Sequence, residues 1–525
     1  MHDFSWRRRR LLQAGSGLLA TTSTVFTGCT SINDRDRLDT AIRQLDRLAR
    51  ELRQRSGIPG MAIVVVHRDR ILHMQGYGVR RTNHAARVDT DTVFQLASVS
   101  KPIAATVMAG LVGDGLVHWD DAVIRHAPEF ALADPVATRQ ATLRDMFCHR
   151  SGLPSHAGDL LEDIGYGQDV ILFRLRHLPL ARPFRSGYGY TNFGLTQAAV
   201  AAAHAARQDW EDLARQRLFG PADLKSMSFR YRDFVAKENR AWLHVADENG
   251  RYIPKFIRNA DAQSPAGGAS ASIADMARWL RLIINHGKLD GVQHVAAAQL
   301  AQTRRPQIES LPAALSPIGR PSFYGLGWNA HTDSHGRLIN SHSGGFTLGA
   351  ATSVVVCVER GLGIAVLTNA WPVGVAESIS TTFMEWALDG ATSRDWAALY
   401  ISEFAKGLEA DLRGPADNSQ PASTVAPARQ AQAYTGDFHN PYYGDASIVQ
   451  NGQALALLLG PQKTAYRLRH WNGDNFVYEP SGENAVRTAG LTFKFGSEGQ
   501  ADRLRIDYLD QNREGEFVRR QVRQS

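Results

Sequence analysis

The pattern of apolar positions predicts a helix over residues 35–55. Apolar residues recur there at intervals of three and four, the spacing of one face of an α-helix. They are Leu38, Ile42, Leu45, Leu48, Ala49 and Leu52. Two apolar runs follow at 61–67 and 71–79, separated by three polar residues, and this pattern predicts a β-hairpin.

Later segments continue with helices and strands. Residues 101–113 are rich in Ala, Val and Met and predict a helix. Residues 272–285 predict another helix, with a capping-box-like start in which Asp takes the place of Glu or Gln. The apolar runs 352–358 and 362–370 flank a short turn and predict a second hairpin. A helix, a hairpin, a large helical middle and a closing hairpin indicate an α+β fold, in which helices pack on an antiparallel sheet.

The composition changes near residues 413–432, where Pro, Ala, Ser and Gln replace the periodic apolar residues and predict a linker. Beyond it the apolar runs are short and strand-like, and an Asn-Gly pair at 451–452 is typical of a hairpin turn. Residues 433–525 are therefore predicted to form a separate small, barrel-like β domain. The predicted layout is a main domain over 35–400, a helix end and linker over 401–432, and this β domain.

The overall composition is that of a globular protein. The chain has 525 residues, 43% hydrophobic and 21% charged, which is enough for two or more domains. Part of the net charge of +7 lies in four consecutive arginines at residues 7–10, and no basic stripe elsewhere indicates nucleic-acid binding. Cys29, Cys148 and Cys357 are far apart and form no CxxC or Cys/His cluster, so neither a metal site nor a cofactor is predicted. Cys148 and Cys357 lie in apolar contexts and are predicted to be buried thiols.

The first 28 residues have the pattern of a secretory signal, with a basic start, a modest apolar stretch and small residues before Cys29. The arginines at 8–10 resemble a twin-arginine signal. Residues 26–29, FTGC, resemble a lipobox, after which Cys29 would be lipidated; Phe26 stands where Leu is usual, and cleavage without a lipid is the alternative. The stretch is too short and too polar for a transmembrane span. We therefore predict a bacterial protein that is exported, either periplasmic or anchored in the membrane by acyl chains on Cys29.

Candidate chemistry begins at Ser98 and Lys101. The chain has eight lysines, and Lys101 is the one with a serine three residues before it. Arg stays protonated in proteins, whereas a buried Lys can lose its proton and act as a base. A serine hydroxyl needs such a base to become a nucleophile, and a helix that begins near Ser98 would place both residues on one side. An isolated SxxK match is also produced by a helix cap beside a surface lysine.

Two further motifs follow SxxK along the chain. They are the YxN motif of Tyr190 and Asn192, and the HxG motif of His342, Ser343 and Gly344, which Gly345 follows. A second HxG at 156–158 lies in a turn-rich loop and is predicted to be structural, because only the later one leads into a predicted strand. The three motifs in this order are much more specific than any one of them.

With these motifs in order, the chain resembles the serine β-lactamase-like hydrolases, and in particular the branch of class C β-lactamases, D-stereospecific peptidases and related esterases. The resemblance covers residues 35–390, and its main segments are GIPGMAIVVV, FQLASVSKPIAA, FCHRSGLPSH, YGYTNFGLTQAA, YGLGW and HSGGFTLGA. It implies a β-lactamase/transpeptidase-like antiparallel sheet with helices on both faces, plus a helical region, with the site between them. It also implies that the β domain is a lipocalin-like barrel.

The resemblance implies a role for each of the first motif residues. Ser98 would be the acylated nucleophile, and Lys101 the base that takes its proton. Tyr190 would move protons to and from the leaving group and the hydrolytic water. Asn192 would hold Lys101 and a substrate amide.

The third motif is implied to line the site from a strand, through His342, Ser343, Gly344 and Gly345. The backbone N–H groups of Ser98 and Gly345 would form the oxyanion hole. Class C β-lactamases resemble one another in having Lys-Thr-Gly at this motif, whereas His342 is only partly charged near neutral pH. The departure favours a peptidase or an esterase over a β-lactamase.

The predicted function is therefore an exported serine hydrolase that acts through an acyl-serine on D-amino-acid-containing peptides or on esters. The predicted partner is a small peptide, amide or ester substrate and not a nucleic acid. A class C-like β-lactamase is one alternative, and a non-catalytic protein that binds or senses peptidoglycan is another. The β domain either caps the site, for example through Phe476 and Tyr478, or serves stability or assembly.

Overall fold

The computed structural model describes residues 34–316, 319–413, 425–452, 454–497 and 499–520. The predicted signal over 1–28, Cys29 and residues 414–424 of the predicted linker lie outside the described residues. Within the described residues, no helix has both the length and the apolar character needed to cross a membrane.

The helices and strands are numbered here in chain order. The α-helices of the described chain are α1 (Asp34–Ser56), α2 (Ser100–Gly113), α3 (Val123–His126), α4 (Pro135–Gln140), α5 (Leu143–Phe147), α6 (Asp159–Asp163), α7 (Gln168–Arg174), α8 (Asn192–Ala205), α9 (Trp210–Ala214), α10 (Tyr231–Val235), α11 (Ser264–Gly267), α12 (Ile273–Ile284), α13 (Ala297–Arg304), α14 (Val375–Asp389) and α15 (Trp396–Arg413). The strands of the main domain are β1 (Gly60–His67), β2 (Arg70–Gly78), β3 (Val93–Gln95), β4 (Val245–Ala246), β5 (Tyr252–Ile253), β6 (Ser270–Ser272), β7 (Lys288–Leu289), β8 (Val292–Gln293), β9 (Ile308–Leu311), β10 (Ser322–Tyr324), β11 (Asn329–Thr332), β12 (Leu338–Phe346), β13 (Ala350–Cys357) and β14 (Leu362–Thr368). The strands of the C-terminal domain are β15 (Gly436–Asn440), β16 (Gly444–Asn451), β17 (Ala454–Leu459), β18 (Thr464–Arg467), β19 (Arg469–Asn472), β20 (Asn475–Tyr478), β21 (Ala489–Phe495), β22 (Ala501–Ile506) and β23 (Glu516–Arg519).

An eight-stranded antiparallel sheet forms the centre of the main domain, in the order β2-β1-β14-β13-β12-β11-β10-β9. Alternate side chains of β1 serve two different cores, because successive residues of a strand point to opposite faces. Ile63 and Val65 pack with α1 and α14 on one face, whereas Val64 and Val66 belong to the core shared with α12 on the other. The continuous apolar run of β1 thus reflects a strand covered on both faces.

The helical region stands on the α12 side of the sheet and places the site between the two. Helix α2 is its buried centre, since Ser100 and every residue after it up to Val112 are buried. A helix that is apolar on all sides needs cover on all sides, and α8, α11 and α13 all pack against α2. The predicted α+β class, with helices on both faces of the sheet and an additional helical region, is confirmed.

The predicted capping box of α12 is only half formed. The Ser272 hydroxyl accepts a hydrogen bond from the backbone N–H of Asp275 at 3.2 Å, as expected for an N-cap. The Asp275 carboxylate, however, accepts from the backbone N–H of Ser226 at 2.6 Å and of Met227 at 3.1 Å. The Asp275 side chain therefore binds the neighbouring loop at 226–227 instead of completing the capping box.

The C-terminal domain is a nearly closed all-β barrel of nine antiparallel strands, in the order β18-β17-β16-β15-β23-β22-β21-β20-β19. The two ends of this order are successive strands joined at Leu468, so the sheet curls back on itself. The predicted hairpin at 451–452 is confirmed by the pairing of β16 with β17. Phe476 and Tyr478 are buried inside the domain. The hypothesis that these two rings cap the site is therefore wrong.

A loop of the barrel, between β20 and β21, docks on the end of α6. The Asp163 carboxylate accepts hydrogen bonds from the backbone N–H groups of Glu483 at 2.8 Å and Asn484 at 3.0 Å, and from the Tyr508 hydroxyl at 2.7 Å. The Tyr442 hydroxyl also accepts from the backbone of the main domain. The Asn484 side-chain amide donates to the same carboxylate at 2.9 Å. Five hydrogen bonds to one carboxylate and one phenol thus hold the barrel against the helical region.

We predict that Asp163→Ala loosens the barrel. The change leaves two backbone N–H groups at the interface without their acceptor, which costs about 2–4 kcal/mol in total. Limited proteolysis followed by intact mass should then release a fragment that begins beyond residue 413 faster than in the wild type. Asp39→Ala, which removes an exposed carboxylate from α1, is the control, and equal cleavage of the two variants would contradict the docking role of Asp163.

Candidate active site

Ser98 lies in a strained turn that leads into α2. The turn is a 3₁₀ segment, Ala97–Val99, and Ala97 has a φ of +47°, a left-handed conformation that is costly for any residue with a Cβ. Packing from two sides holds it, because the carbonyl of Leu96 accepts from the Thr352 hydroxyl at 2.7 Å and the N–H of Leu96 donates to Ala269 at 2.8 Å. The nucleophile predicted from the sequence therefore stands on a rigid turn.

Lys101 is fully buried one helical turn beyond Ser98. Its Nζ donates to Ser98 Oγ at 3.1 Å, to Asn192 Oδ1 at 2.7 Å and to the carbonyl of Ala266 at 2.9 Å. These three acceptors match the three N–H bonds of an ammonium group. Nζ also lies 4.6 Å from the centre of the Tyr190 ring. The predicted pairing of Ser98 with Lys101 is present in the structure.

Tyr190 and Asn192 complete this cluster from the start of α8. The Tyr190 hydroxyl donates to Ser98 Oγ at 3.0 Å. The Asn192 amide presents its oxygen to Lys101, while its nitrogen donates to both oxygens of Asp159 at 3.1 and 3.0 Å. A carboxylate only accepts hydrogen bonds, so Asp159 fixes which end of the amide faces Lys101.

Asp159 was not identified from the sequence. It also contacts Nδ1 of His156 at 2.9 Å, and both residues line the cleft in front of Ser98. His156, predicted to be structural, is thus part of the cleft wall. The sequence did contain one indication of its place. Asp159 directly follows the first HxG motif, at a position where an acidic residue favours the start of a helix.

The HxG strand contributes His342 to the same cleft. Nδ1 of His342 lies 2.8 Å from the carbonyl oxygen of Ser343, and Nε2 lies 2.9 Å from the Tyr324 hydroxyl. A carbonyl accepts only, which assigns a proton to Nδ1. The Tyr324 hydroxyl can either donate to Nε2 or accept from it. Tyr324, which belongs to the YGLGW segment, is another residue whose place in the site the sequence did not reveal. The His342 ring lies 6.5 Å from that of Tyr190.

The same strand, β12, has an open edge beside Ser98. Strand β11 pairs only with residues 338–341, so 342–346 have no strand partner on that side among the described residues. Gly344 explains how close this edge comes to the nucleophile, because a Cβ there would lie 2.3 Å from the Leu96 carbonyl oxygen and 2.9 Å from the Ser98 nitrogen. Gly345, the other predicted oxyanion-hole residue, is the next position along the strand.

The barrel forms part of the cleft wall through Glu483 and Asn484. Glu483 accepts from the backbone N–H of Thr347 at 2.5 Å, just beyond the end of β12. Its other oxygen lies 3.6 Å from Nε of Arg258, which also makes a two-fold contact of 2.9 and 2.8 Å with Glu162. The main domain and the barrel thus share one buried ion cluster at the cleft.

Glu377, in the first turn of α14, is a second acidic residue in the cleft wall. Its side chain is 4% exposed. Burial raises the pKa of this carboxyl to about 7, although its own backbone N–H and the Ser343 hydroxyl act in the opposite direction. Oε2 of Glu377 has no hydrogen-bond partner in the part of the chain that the structure describes.

Fold and site together define a class of protein, in which a serine beside a buried lysine and a tyrosine lies between an antiparallel sheet and a helical region. A family model described as Beta-lactamase matches residues 45–382, well over half of the chain, and the chain belongs to this family. A second model, described as a domain of unknown function, DUF3471, matches residues 420–519.

Relatives and a solved structure agree with this assignment. Penicillin-binding protein 4 of Amycolatopsis lactamdurans is 29% identical over 63% of this chain and 85% of its own. The unguisins hydrolase ungD of Aspergillus violaceofuscus is 25% identical over 58% of this chain, which spans only 57% of that protein's length. The octameric penicillin-binding protein homologue from Pyrococcus abyssi aligns with a TM-score of 0.58 and 16% identity, over 91% of this chain and all of that one. This last likeness concerns the fold alone.

We predict that Gly344→Ala disrupts the site. The new Cβ cannot fit 2.3 Å from a backbone oxygen, so β12 must move away from Ser98, at a cost of about 1–3 kcal/mol. Labelling of Ser98 by a fluorophosphonate, followed by intact mass, should become at least tenfold slower. Gly110→Ala, within α2 where no atom would crowd the Cβ, is the matched control and should label at the wild-type rate. Equal labelling of both variants would show that the close approach is not needed.

We also predict that Glu377 makes the stability depend on pH. The folded state holds the Glu377 proton up to a pKa of about 7, against an ordinary value of 4.5, so the unfolded state loses this proton first and stability falls as the pH rises between these values. Relative to Glu377→Gln, the free energy of unfolding of the wild type should fall by about 3 kcal/mol between pH 4.5 and pH 8. Denaturant unfolding of both proteins across this range measures the difference, and parallel profiles would contradict it.

Proposed function

We propose that the chain is a serine hydrolase that forms an acyl-enzyme on Ser98, with D-amino-acid-containing peptides, amides or esters as its substrates. The observation that carries the proposal is the position of Ser98 Oγ, 3.1 Å from Lys101 Nζ and 3.0 Å from the Tyr190 hydroxyl. A pure binding protein does not need a serine held between two groups that can exchange protons with it.

In the proposed reaction Ser98 Oγ attacks the substrate carbonyl while Lys101, in its neutral form, takes the proton. Lys101 Nζ donates a hydrogen bond to Ser98 Oγ across 3.1 Å. After Lys101 has lost a proton, the same contact allows Nζ to accept the proton of Ser98. Tyr190 lies on the other contact to Oγ and delivers a proton to the leaving group. Water then attacks the acyl group, and the same residues act in reverse.

Asn192 and the HxG strand have supporting roles in this proposal. Asn192, fixed by Asp159, keeps an acceptor on Lys101 throughout. The negative oxygen of the tetrahedral intermediate would be bound by the backbone N–H groups of Ser98 and Gly345. The edge of β12 over 342–346, which no strand of the described residues covers, offers backbone groups to an extended peptide, in the manner of an added strand.

The substrate class rests on what the cleft offers. His342, unlike a lysine, carries no fixed positive charge, and it occupies the position where such a charge would favour a β-lactam carboxylate. The open strand edge suits a peptide or amide, and an ester follows the same acyl-enzyme chemistry. The names of two relatives, a penicillin-binding protein and a hydrolase, support hydrolytic or acyl-transfer chemistry of this kind.

We further propose that the protein is exported and is periplasmic or anchored through a lipid on Cys29. This proposal is supported by the amino-acid pattern of residues 1–29. An exported hydrolase of this kind would meet the D-residues of the bacterial cell wall.

Intact mass after incubation with a fluorophosphonate, and separately with benzylpenicillin, tests the proposed function. We expect a fluorophosphonate adduct on the wild type and none on Ser98→Ala. Lys101→Met should slow labelling by about 10²–10⁴-fold, because a general base is lost. Lys225→Met, at an exposed lysine, is the matched control and should label normally. A folded wild type that no fluorophosphonate labels would overturn the proposal, whereas rapid turnover of benzylpenicillin would favour a β-lactamase.

A further inference from the structure

The cleft extends around the open edge of β12 to the rear face of the sheet. Ser98 and His342 line its front part, on the side of the helical region. Ser343 has the opposite orientation to its neighbour His342, as alternate residues of a strand do, and it lines the same cleft together with Glu377. The cleft therefore passes from the nucleophile over 342–346 to a rear pocket, which is possible because no described strand covers this edge.

The rear pocket is lined by Phe404, Gly407 and Leu408 of α15 together with the carboxyl of Glu377. A second cavity behind the sheet shares Ser343 and Glu377 with the cleft. The pocket thus extends beyond the nucleophile, and the carboxyl of Glu377 lies where the cleft and the second cavity meet.

The charges that line the cleft are unevenly matched. Arg258 is paired with Glu162 and Glu483, and Asp159 holds His156. Glu377 forms no ion pair within the described residues, and its Oε2 lacks a hydrogen-bond partner there.

Burying a carboxyl without a partner costs stability. A glutamine of the same shape would remove the charge, and an apolar residue would remove the polar group altogether. A ligand with a positively charged N–H donor would instead give the Glu377 carboxylate a charge-assisted hydrogen bond, which is among the stronger polar contacts in proteins.

We propose that the rear pocket is a subsite for a primary ammonium group of the substrate, with Glu377 as its specificity-determining carboxylate. The proposal rests on the hydrolase function proposed above and names the chemical class of substrate that this hydrolase selects. The ammonium group would enter over the open edge of β12, while the scissile carbonyl stays at Ser98.

Two matched substrate pairs test the proposal at pH 8, where the carboxyl of Glu377 with its pKa of about 7 is mainly ionised. The first pair is D-alanyl-p-nitroanilide and its N-acetyl form, which differ in a free ammonium on the acyl side. The second is N-acetyl-D-Ala-D-Lys and N-acetyl-D-Ala-D-norleucine, which differ in an ammonium on the leaving group. The quantity measured is the ratio of kcat/KM within each pair.

We expect the wild type to favour the ammonium-bearing member of at least one pair by about tenfold or more, as a charged hydrogen bond provides. Glu377→Gln should bring that ratio close to one. Glu359→Gln removes an exposed carboxylate at the turn after β13, the end of the sheet away from Ser98, and should keep the wild-type ratio.

Turnover of the uncharged members with no preference in either pair would overturn the subsite while leaving the hydrolase function standing. The same holds for a preference that Glu377→Gln does not change. Absence of any turnover, combined with no fluorophosphonate label on Ser98, would instead remove the hydrolase function and the subsite together.

Discussion

The buried amine of Lys101 is the constraint on which the rest of the site depends. A polar group removed from water is tolerated only where hydrogen bonds replace those that water gave, and Lys101 finds three acceptors on three different elements. Ser98 comes from the turn before α2, Asn192 from the start of α8 and Ala266 from α11. The three hydrogen bonds of one side chain thus link these elements, and they hold Ser98 beside Lys101.

A second constraint comes from the backbone around Ser98. Ala97 is in a left-handed conformation. Strand β12 lies so close to this turn that no space remains for a Cβ at Gly344. Neither feature lowers the energy of the local chain. Both are held by the sheet, because Thr352 of β13 bonds the carbonyl before Ala97 while Gly344 lies on the neighbouring strand. The rigid core of the domain therefore supplies the energy that keeps the serine in place.

The features that have a local signature could be predicted from the sequence. The helix α1, the hairpin β1–β2, the buried α2 and the β16–β17 turn follow from periodicity and turn chemistry, and the motifs led to Ser98, Lys101, Tyr190, Asn192 and His342, which the structure brings together. Asp159, Tyr324 and Glu377 were missed, since their importance arises from neighbours far away in sequence. The docking of the barrel was missed for the same reason, as Asp163 and Tyr508 are separated by 345 positions. One of the two alternatives for the β domain placed Phe476 at the cleft, but its ring fills the interior of the barrel.

The contacts of Glu483 have a consequence for how this molecule can change over evolution. One side chain of the barrel reaches both the segment after β12 and the guanidinium of Arg258. The wall of the cleft is therefore assembled from parts of the gene that lie more than a hundred codons apart. Exchange of the barrel for another would remove Glu483 and thereby alter the shape and the charge of the cleft at the same time.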